Sequence, residues 1–213
     1  MSKASTHANA RTKPLKRPVQ ARSRFTVQAI FDAYVRIWQQ EGWDQLTTRK
    51  VALETGIAVG TLYEYFPSRE ALHSGYVRHC IERMLKQISE QVIQPEQLGW
   101  QQRVRGLVRH LAGLETPDTW FPPQMMQLEP VIAAPRYQRR AYDELLSVWH
   151  QVFAACHDLP QQPDRQTVEA LHLSVWGGRR YALQVALDRP RVEAWALTME
   201  RLCVLAVAGE DRT

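Results

Sequence analysis

No stretch of this chain alternates polar and apolar residues over a strand's length, so a β-sheet is not its organising element. Cysteine is scarce. Cys80, Cys156 and Cys203 are far apart, odd in number and free of any CxxC pairing. That excludes a disulfide framework and points to a reducing compartment. Long apolar runs are missing as well. The longest uncharged one near the end, Leu202 to Ala208, falls far short of the roughly 20 residues that cross a bilayer. The first residues are basic with no apolar run behind them, so they do not read as a signal peptide. No GxSxG, P-loop, GxGxxG or HExxH occurs. His73, His79 and Cys80 lie close in sequence and Cys156 adjoins His157, but neither group has a zinc-ligand spacing. The expectation is a cytoplasmic protein without catalytic residues, metal, cofactor or membrane partner.

What is present is charge at one end. Residues 1–75 hold 11 Lys/Arg against 6 Asp/Glu, whereas 76–213 hold 16 of each. The whole formal excess of +5 therefore sits in the first third of the chain, which suits a polyanionic partner. Residues 1–21 carry five cations, two prolines and no acid, and read as a basic flexible arm able to follow DNA phosphates. From Phe25 the periodicity becomes helical, with Ile30, Ala33, Tyr34, Ile37 and Trp38 on one face and Gly42 as the stop. Thr47 or Thr48 caps a short helix bearing inward Val51 and Ala52. Gly56 supplies a tight turn, and Ile57 plugs the space behind it. A second short helix spans Val59 to Tyr65. Pro67 ends it, and Ser68 caps a longer helix to about Val92.

The stretch Leu46–Leu72 is thus a helix-turn-helix, which fixes double-stranded DNA as the partner. Small residues at 58–61 allow close approach to the duplex. Leu62 and Phe66 anchor the helix from within. Thr61 and Tyr63 offer hydroxyls to phosphate oxygens or base edges, Val59 suits a thymine methyl, and Arg49 can reach a phosphate or a guanine. Arg69 is expected to clamp phosphate at the start of the long helix. Arg24 and Tyr65 complete the candidate DNA-binding set.

At TTRKVALETGIAVGTLYEYFPSREAL the sequence resembles the TetR family of bacterial transcription regulators, from about Arg24 to Leu72. The resemblance implies backbone contacts from Thr48, Gly60, Thr61, Tyr63 and Arg69, and base reading by Arg49 and Val59. Ala58 departs from it, standing where the family usually has a capping serine. It also implies an all-α homodimer, with an N-terminal three-helix DNA-binding domain (22–75) and a larger C-terminal domain for ligand binding and dimerisation (76–213).

Pro95–Gly99 breaks the long helix, and further helices are expected at 101–114, 123–132, 136–156, 164–187 and 190–208. The segment 116–123, with Trp120 and Phe121 exposed, reads as a loop or gate. The last two helices carry apolar stripes, Val168, Leu171, Val175 and Leu183, then Trp195, Met199, Leu202 and Ala206. These are expected to pair with a second copy, with Gly177 and Gly178 allowing close approach, or else to form an ordinary intrachain core. Candidate pocket residues for a small hydrophobic or aromatic effector are Trp100, Trp120, Phe121, Met125, Met126, Tyr137, Trp149, Phe153, Trp176 and Tyr181. Arg179 or Arg180 could meet a ligand carboxylate. The leading expectation is a ligand-released repressor on a palindromic operator. An activator of the same fold and an effector-independent architectural DNA binder are the alternatives.

Overall fold

A computed structural model describes residues 21–115, 120–133 and 135–208. The expected basic arm up to residue 20 and the core of the expected gate, 116–119, lie outside the described residues. Among the described residues there are nine α-helices and no strand, as the absence of period-two patterning requires. They are α1 (Ala21–Glu41), α2 (Thr48–Thr55), α3 (Val59–Tyr65), α4 (Arg69–Ile88), α5 (Trp100–Leu111), α6 (Pro123–Ile132), α7 (Pro135–Ala154), α8 (Arg165–Gln184) and α9 (Arg189–Ala208). They fall into two compact units. One holds residues 21–79 and 131–133, and the other holds 80–115, 120–130 and 135–208.

In the first unit α1 buries Ile30, Ala33, Tyr34 and Ile37 and stops where Gly42 takes φ +78 and donates to the Trp38 carbonyl at 2.9 Å. Its start, Ala21, precedes the expected arm boundary and the first periodic residue. The opening turn, Ala21–Arg24, has one apolar residue, so its helicity leaves no periodic trace. Phe25 is 79 % exposed. In α4, Leu72 and Tyr76 are buried with the first unit, and Met84 and Ile88 with the second.

α4 does not run on regularly to Val92. Its last turn, Ser89–Ile93, is π-helical, a form that adds a residue per turn and frees carbonyls at its end. Arg103 of α5, 3 % exposed, collects them. Its guanidinium donates to the carbonyls of Val92, of Ile93 at 2.8 Å, of Pro95 at 2.7 Å and of Leu98 at 3.1 Å. His110 of the same helix lies 3.1 Å from the Gln91 side-chain oxygen.

The second unit's core gathers Trp100, Val104, Leu107 and Leu111 of α5 with Trp149, Val152 and Phe153 of α7, Val168 and Val175 of α8, and Cys203 and Val207 of α9. This corrects the expected pairing surface. Val168, Leu171, Val175 and Leu183 are all at most 8 % exposed and belong to their own chain's interior. Trp195 and Met199 are half-buried against the same core. Gly178 receives the Trp195 ring, for a Cβ there would sit 2.5 Å from an indole carbon. Its bareness serves packing between α8 and α9, while Gly177 faces open space. The large apolar residues left exposed here are Leu173 and Tyr181 on α8, Val185 just after it, and Leu197, Leu202 and Leu205 on α9. Both helices are apolar on two faces, and periodicity alone does not say which face the chain itself covers.

Gly178→Val should force the Trp195 ring off α8 and cost roughly 1–3 kcal/mol, the usual range for overpacking. Denaturant unfolding of both proteins checks this, and an unchanged midpoint would remove Gly178 from that role.

Candidate nucleic-acid interface

Capping sets the geometry of α2 and α3. The Thr47 hydroxyl, not that of Thr48, accepts the Lys50 amide at 3.2 Å and starts α2. Gly56, at φ +71, ends it, and the Ile57 amide returns to the Ala52 carbonyl at 3.1 Å. That pair of features is a left-handed helix stop, which glycine adopts at little cost. Val51, Ala52 and Leu62 are fully buried and Phe66 nearly so, so α3 is pinned on one side only.

The other side presents Gly60 and Tyr63 exposed and Val59 and Thr61 partly exposed. A Cβ on Gly60 would meet nothing within 4 Å. Ala58 occupies the cap position of α3 and makes no side-chain cap hydrogen bond. The free amides and partial positive charge of a helix N-terminus therefore remain open there. The Thr48 hydroxyl donates to the Tyr63 hydroxyl at 3.2 Å. Two side chains given separate phosphate roles from sequence are thus one hydroxyl pair joining α2 to α3. Both oxygens can still engage a phosphate.

The cations differ in availability. Lys50 is held by Glu41 at 2.5 Å and Arg36 by Glu54 at 2.9 Å. Arg49 is exposed and has no hydrogen bond or ion pair among the described residues, and Arg24 is exposed on α1. Arg69 is more constrained than a simple clamp. Its Nε donates to Glu70 at 2.9 Å, Nη1 reaches the Trp43 carbonyl at 3.4 Å, and the guanidinium lies 4.6 Å above the Trp43 ring. A phosphate there would share a guanidinium that already ties α4 to the turn after α1. Tyr65 is partly buried, with its ring 6.4 Å from that of Phe66.

Beneath this surface sits His73, which sequence reasoning left as an ordinary satisfied or solvated histidine. It is 1 % exposed, its Nδ1 is 2.8 Å from the Tyr34 hydroxyl, and its ring stacks on Trp38 and meets Trp43 edge-on. Its Nε2 has no partner. Burial pushes its pKa from 6.5 down to about 4, against an opposing pull from Glu70, so the imidazole is neutral near pH 7. The flanking aromatics, spread over α1 and its turn, carry no local signal of this cage.

The candidate effector residues scatter. Trp100, Met125, Met126, Trp149 and Phe153 are buried, while Trp120, Phe121, Tyr137 and Trp176 are half-buried. Trp120 and Phe121 are thus less open than expected. Tyr181 is 64 % exposed on α8 and does not face the interior. An open hollow lined by Ile93, Gln94, Glu96, Arg103, Ala155 and His157 contains none of these aromatics. Among the described residues no cluster of three His, Cys, Asp or Glu could hold a metal. No described helix is long and apolar enough to cross a membrane.

Comparison with known proteins gives three findings. Residues 30–74 match the family described as bacterial regulatory proteins, tetR family. The fatty acid metabolism regulator protein of Bacillus subtilis (strain 168) is 34 % identical over 73 residues, which cover 32 % of this chain and 38 % of that protein. The chain thus spans well under half the length of that relative. Among solved structures, a TetR-family transcriptional regulator from Streptomyces coelicolor superposes with a TM-score of 0.62 at 16 % identity, covering 87 % of this chain and 99 % of that one. The transcriptional regulator FadR from Bacillus subtilis, in complex with stearoyl-CoA, gives 0.60 at 13 % identity, covering 84 % and 98 %. At such identities the structures share the fold.

Ala58→Ser should restore the missing cap and stabilise the protein by about 1 kcal/mol, read as a higher denaturation midpoint. A lower midpoint would mean that the α3 N-terminus is already satisfied. The buried histidines set a pH window. His73 and His172 are both pushed from 6.5 to about 4 by burial. A folded pKa below the unfolded one gives stability that is complete above pH 6.5 and is lost as pH falls through about 4. Denaturant midpoints measured from pH 7 to pH 4 should drop across that interval, and a flat profile would contradict the burial of both rings.

Proposed function

We propose, from the premise that the chain belongs to the tetR family of bacterial regulatory proteins, that it is a homodimeric repressor of transcription. It binds a palindromic operator and is released by a small hydrophobic or aromatic effector. The observation that carries the reading is the one-sided anchoring of α3. Leu62 fastens the helix inward, while the uncapped Ala58 end, Gly60, Thr61 and the Thr48–Tyr63 hydroxyl pair stay accessible. That surface offers amides and hydroxyls to phosphate, and the adjacent Arg49, without a partner among the described residues, offers a fork to guanine.

Dimerisation in this reading uses the exposed apolar residues Leu173 and Tyr181 of α8 and Val185 just after it, with Leu197, Leu202 and Leu205 of α9. Six exposed large apolar side chains on and beside two successive helices suit a surface that a second copy covers. Paired copies set two α3 helices about 34 Å apart, in successive major grooves. The effector occupies the second unit, whose interior supplies Trp100, Met125, Trp149 and Phe153. The FadR structure that shares this fold is in complex with stearoyl-CoA, which supports a ligand with a long apolar part in this reading.

Selection of random duplex DNA by the purified chain at about physiological salt, where non-specific binding is weak, tests the reading. An inverted repeat is expected. Arg49→Ala should weaken binding by about 1–3 kcal/mol and relax the preference at one position of each half-site. Leu205→Glu should sediment as a monomer and lose the repeat. A selected pool without a repeat, or a dimeric Leu205→Glu, would overturn the corresponding part.

A further inference from the structure

Arg69 is the first residue of α4, and its guanidinium is engaged on three sides. Nε donates to the Glu70 carboxylate at 2.9 Å, Nη1 reaches the Trp43 carbonyl at a long 3.4 Å, and the guanidinium carbon lies 4.6 Å from the centroid of the Trp43 ring. Its backbone is fixed as well, because the Ser68 hydroxyl accepts the Ala71 amide at 3.0 Å and starts the helix. Arg49 on α2, by contrast, has no hydrogen bond or ion pair among the described residues. Two arginines given DNA-contact roles from sequence are thus in opposite states.

Trp43 carries that grip into the turn between α1 and α2. Its carbonyl also accepts the Leu46 amide at 3.1 Å and so closes the turn. Leu46 is fully buried, and the next residue, Thr47, caps α2. The Trp43 ring lies 5.2 Å from that of Trp38 on α1 and meets His73 of α4 edge-on at 5.5 Å, and both of those side chains are buried. An arginine over an aromatic face is attracted by the negative face of the ring and can stack flat on it. Arg69 therefore holds an indole that is already packed on buried rings. Thr48 and Arg49, in the first turn of α2, follow the closed turn directly, so the place of Trp43 sets where they are presented.

A phosphate clamp suits this setting less well. The Glu70 carboxylate sits on the same guanidinium, 2.9 Å from Nε, and repels a second anion approaching it. We propose that Arg69 is a positioning residue for DNA binding, which acts through Trp43 to set the start of α2 and does not itself neutralise a phosphate. The inference rests on the DNA-binding reading above. In it Thr48 and Arg49 touch the duplex, and Arg69 fixes the turn that delivers them.

The test measures affinity of the full chain for a fluorescent duplex spanning the selected inverted repeat, between about 50 and 200 mM salt and well below each variant's thermal midpoint. A random-sequence duplex of equal length serves where no repeat is enriched. R69Q should bind about threefold to tenfold more weakly than wild type, with the slope of log affinity against log salt unchanged. W43L should show the same loss, and R69Q/W43L should bind no more weakly than either single variant, because both remove one interaction. R69K and W43F, which keep a cation beside a ring, should stay close to wild type. A slope shallower by about 0.9 for each Arg69 replaced makes Arg69 a phosphate contact and overturns the proposal. Unchanged affinity in folded R69Q reduces it to a residue of stability alone and overturns the proposal too, as does W43L binding like wild type. The affinity and salt slope of R69Q decide the matter even where W43L does not fold. Wild-type protein that binds neither duplex overturns the DNA-binding reading and this inference with it, a result distinct from the others.

Discussion

A seven-residue helix has too few internal hydrogen bonds to persist in water alone. α3 exists because the backbone at Gly56 turns left-handed and delivers Ile57 and Leu62 to a core already built by α1 and α2. Everything assigned to the DNA-facing surface depends on that constraint. With the turn fixed, one buried leucine sets the rotation of α3. The same rotation puts Gly60 and Tyr63 outward and brings the Tyr63 hydroxyl to Thr48. A β-branched residue at 56 would strain the turn and shift every contact beyond it, although nothing crowds the position sterically.

The first unit therefore works by exposing polarity. The second works by hiding it. Arg103 shows how a buried cation is normally accommodated, as its donors meet the carbonyl ends of a π-helical turn. In such a setting the guanidinium replaces the amides that an ordinary helix would have supplied, and α4's end is fastened to α5.

Much of this was legible from the chain. The end of α3 follows from Pro67, the start of α6 from its proline, and the stop of α1 from Gly42, because caps and breakers act locally. The fold class was legible because helical periodicity recurs throughout without alternation. Among the predicted DNA-binding residues, the order of Thr47 and Thr48 became clear only from the Lys50 amide, and the occupancy of Arg69 only from Trp43, twenty-six positions away. Long-range partners leave no mark at a spacing of three or four. The same reason explains Tyr181, Val168 and Val175. On a helix with two apolar faces, the sequence states how much apolar surface must be covered but not by which neighbour.

The division of labour also accounts for the charge distribution. The first unit meets a polyanion with surface cations, and acids there such as Glu41, Glu54 and Glu70 each hold a basic side chain in place. Exposed pairs of this kind add little stability. Their effect is to decide which cations remain available, leaving Arg49 beside the α3 surface without a competing carboxylate among the described residues. In the second unit positive and negative charges balance overall, so the field of the domain neither attracts nor repels a ligand strongly at a distance. Under the proposed effector reading, selectivity there comes from contacts made after entry, among the apolar side chains of the core.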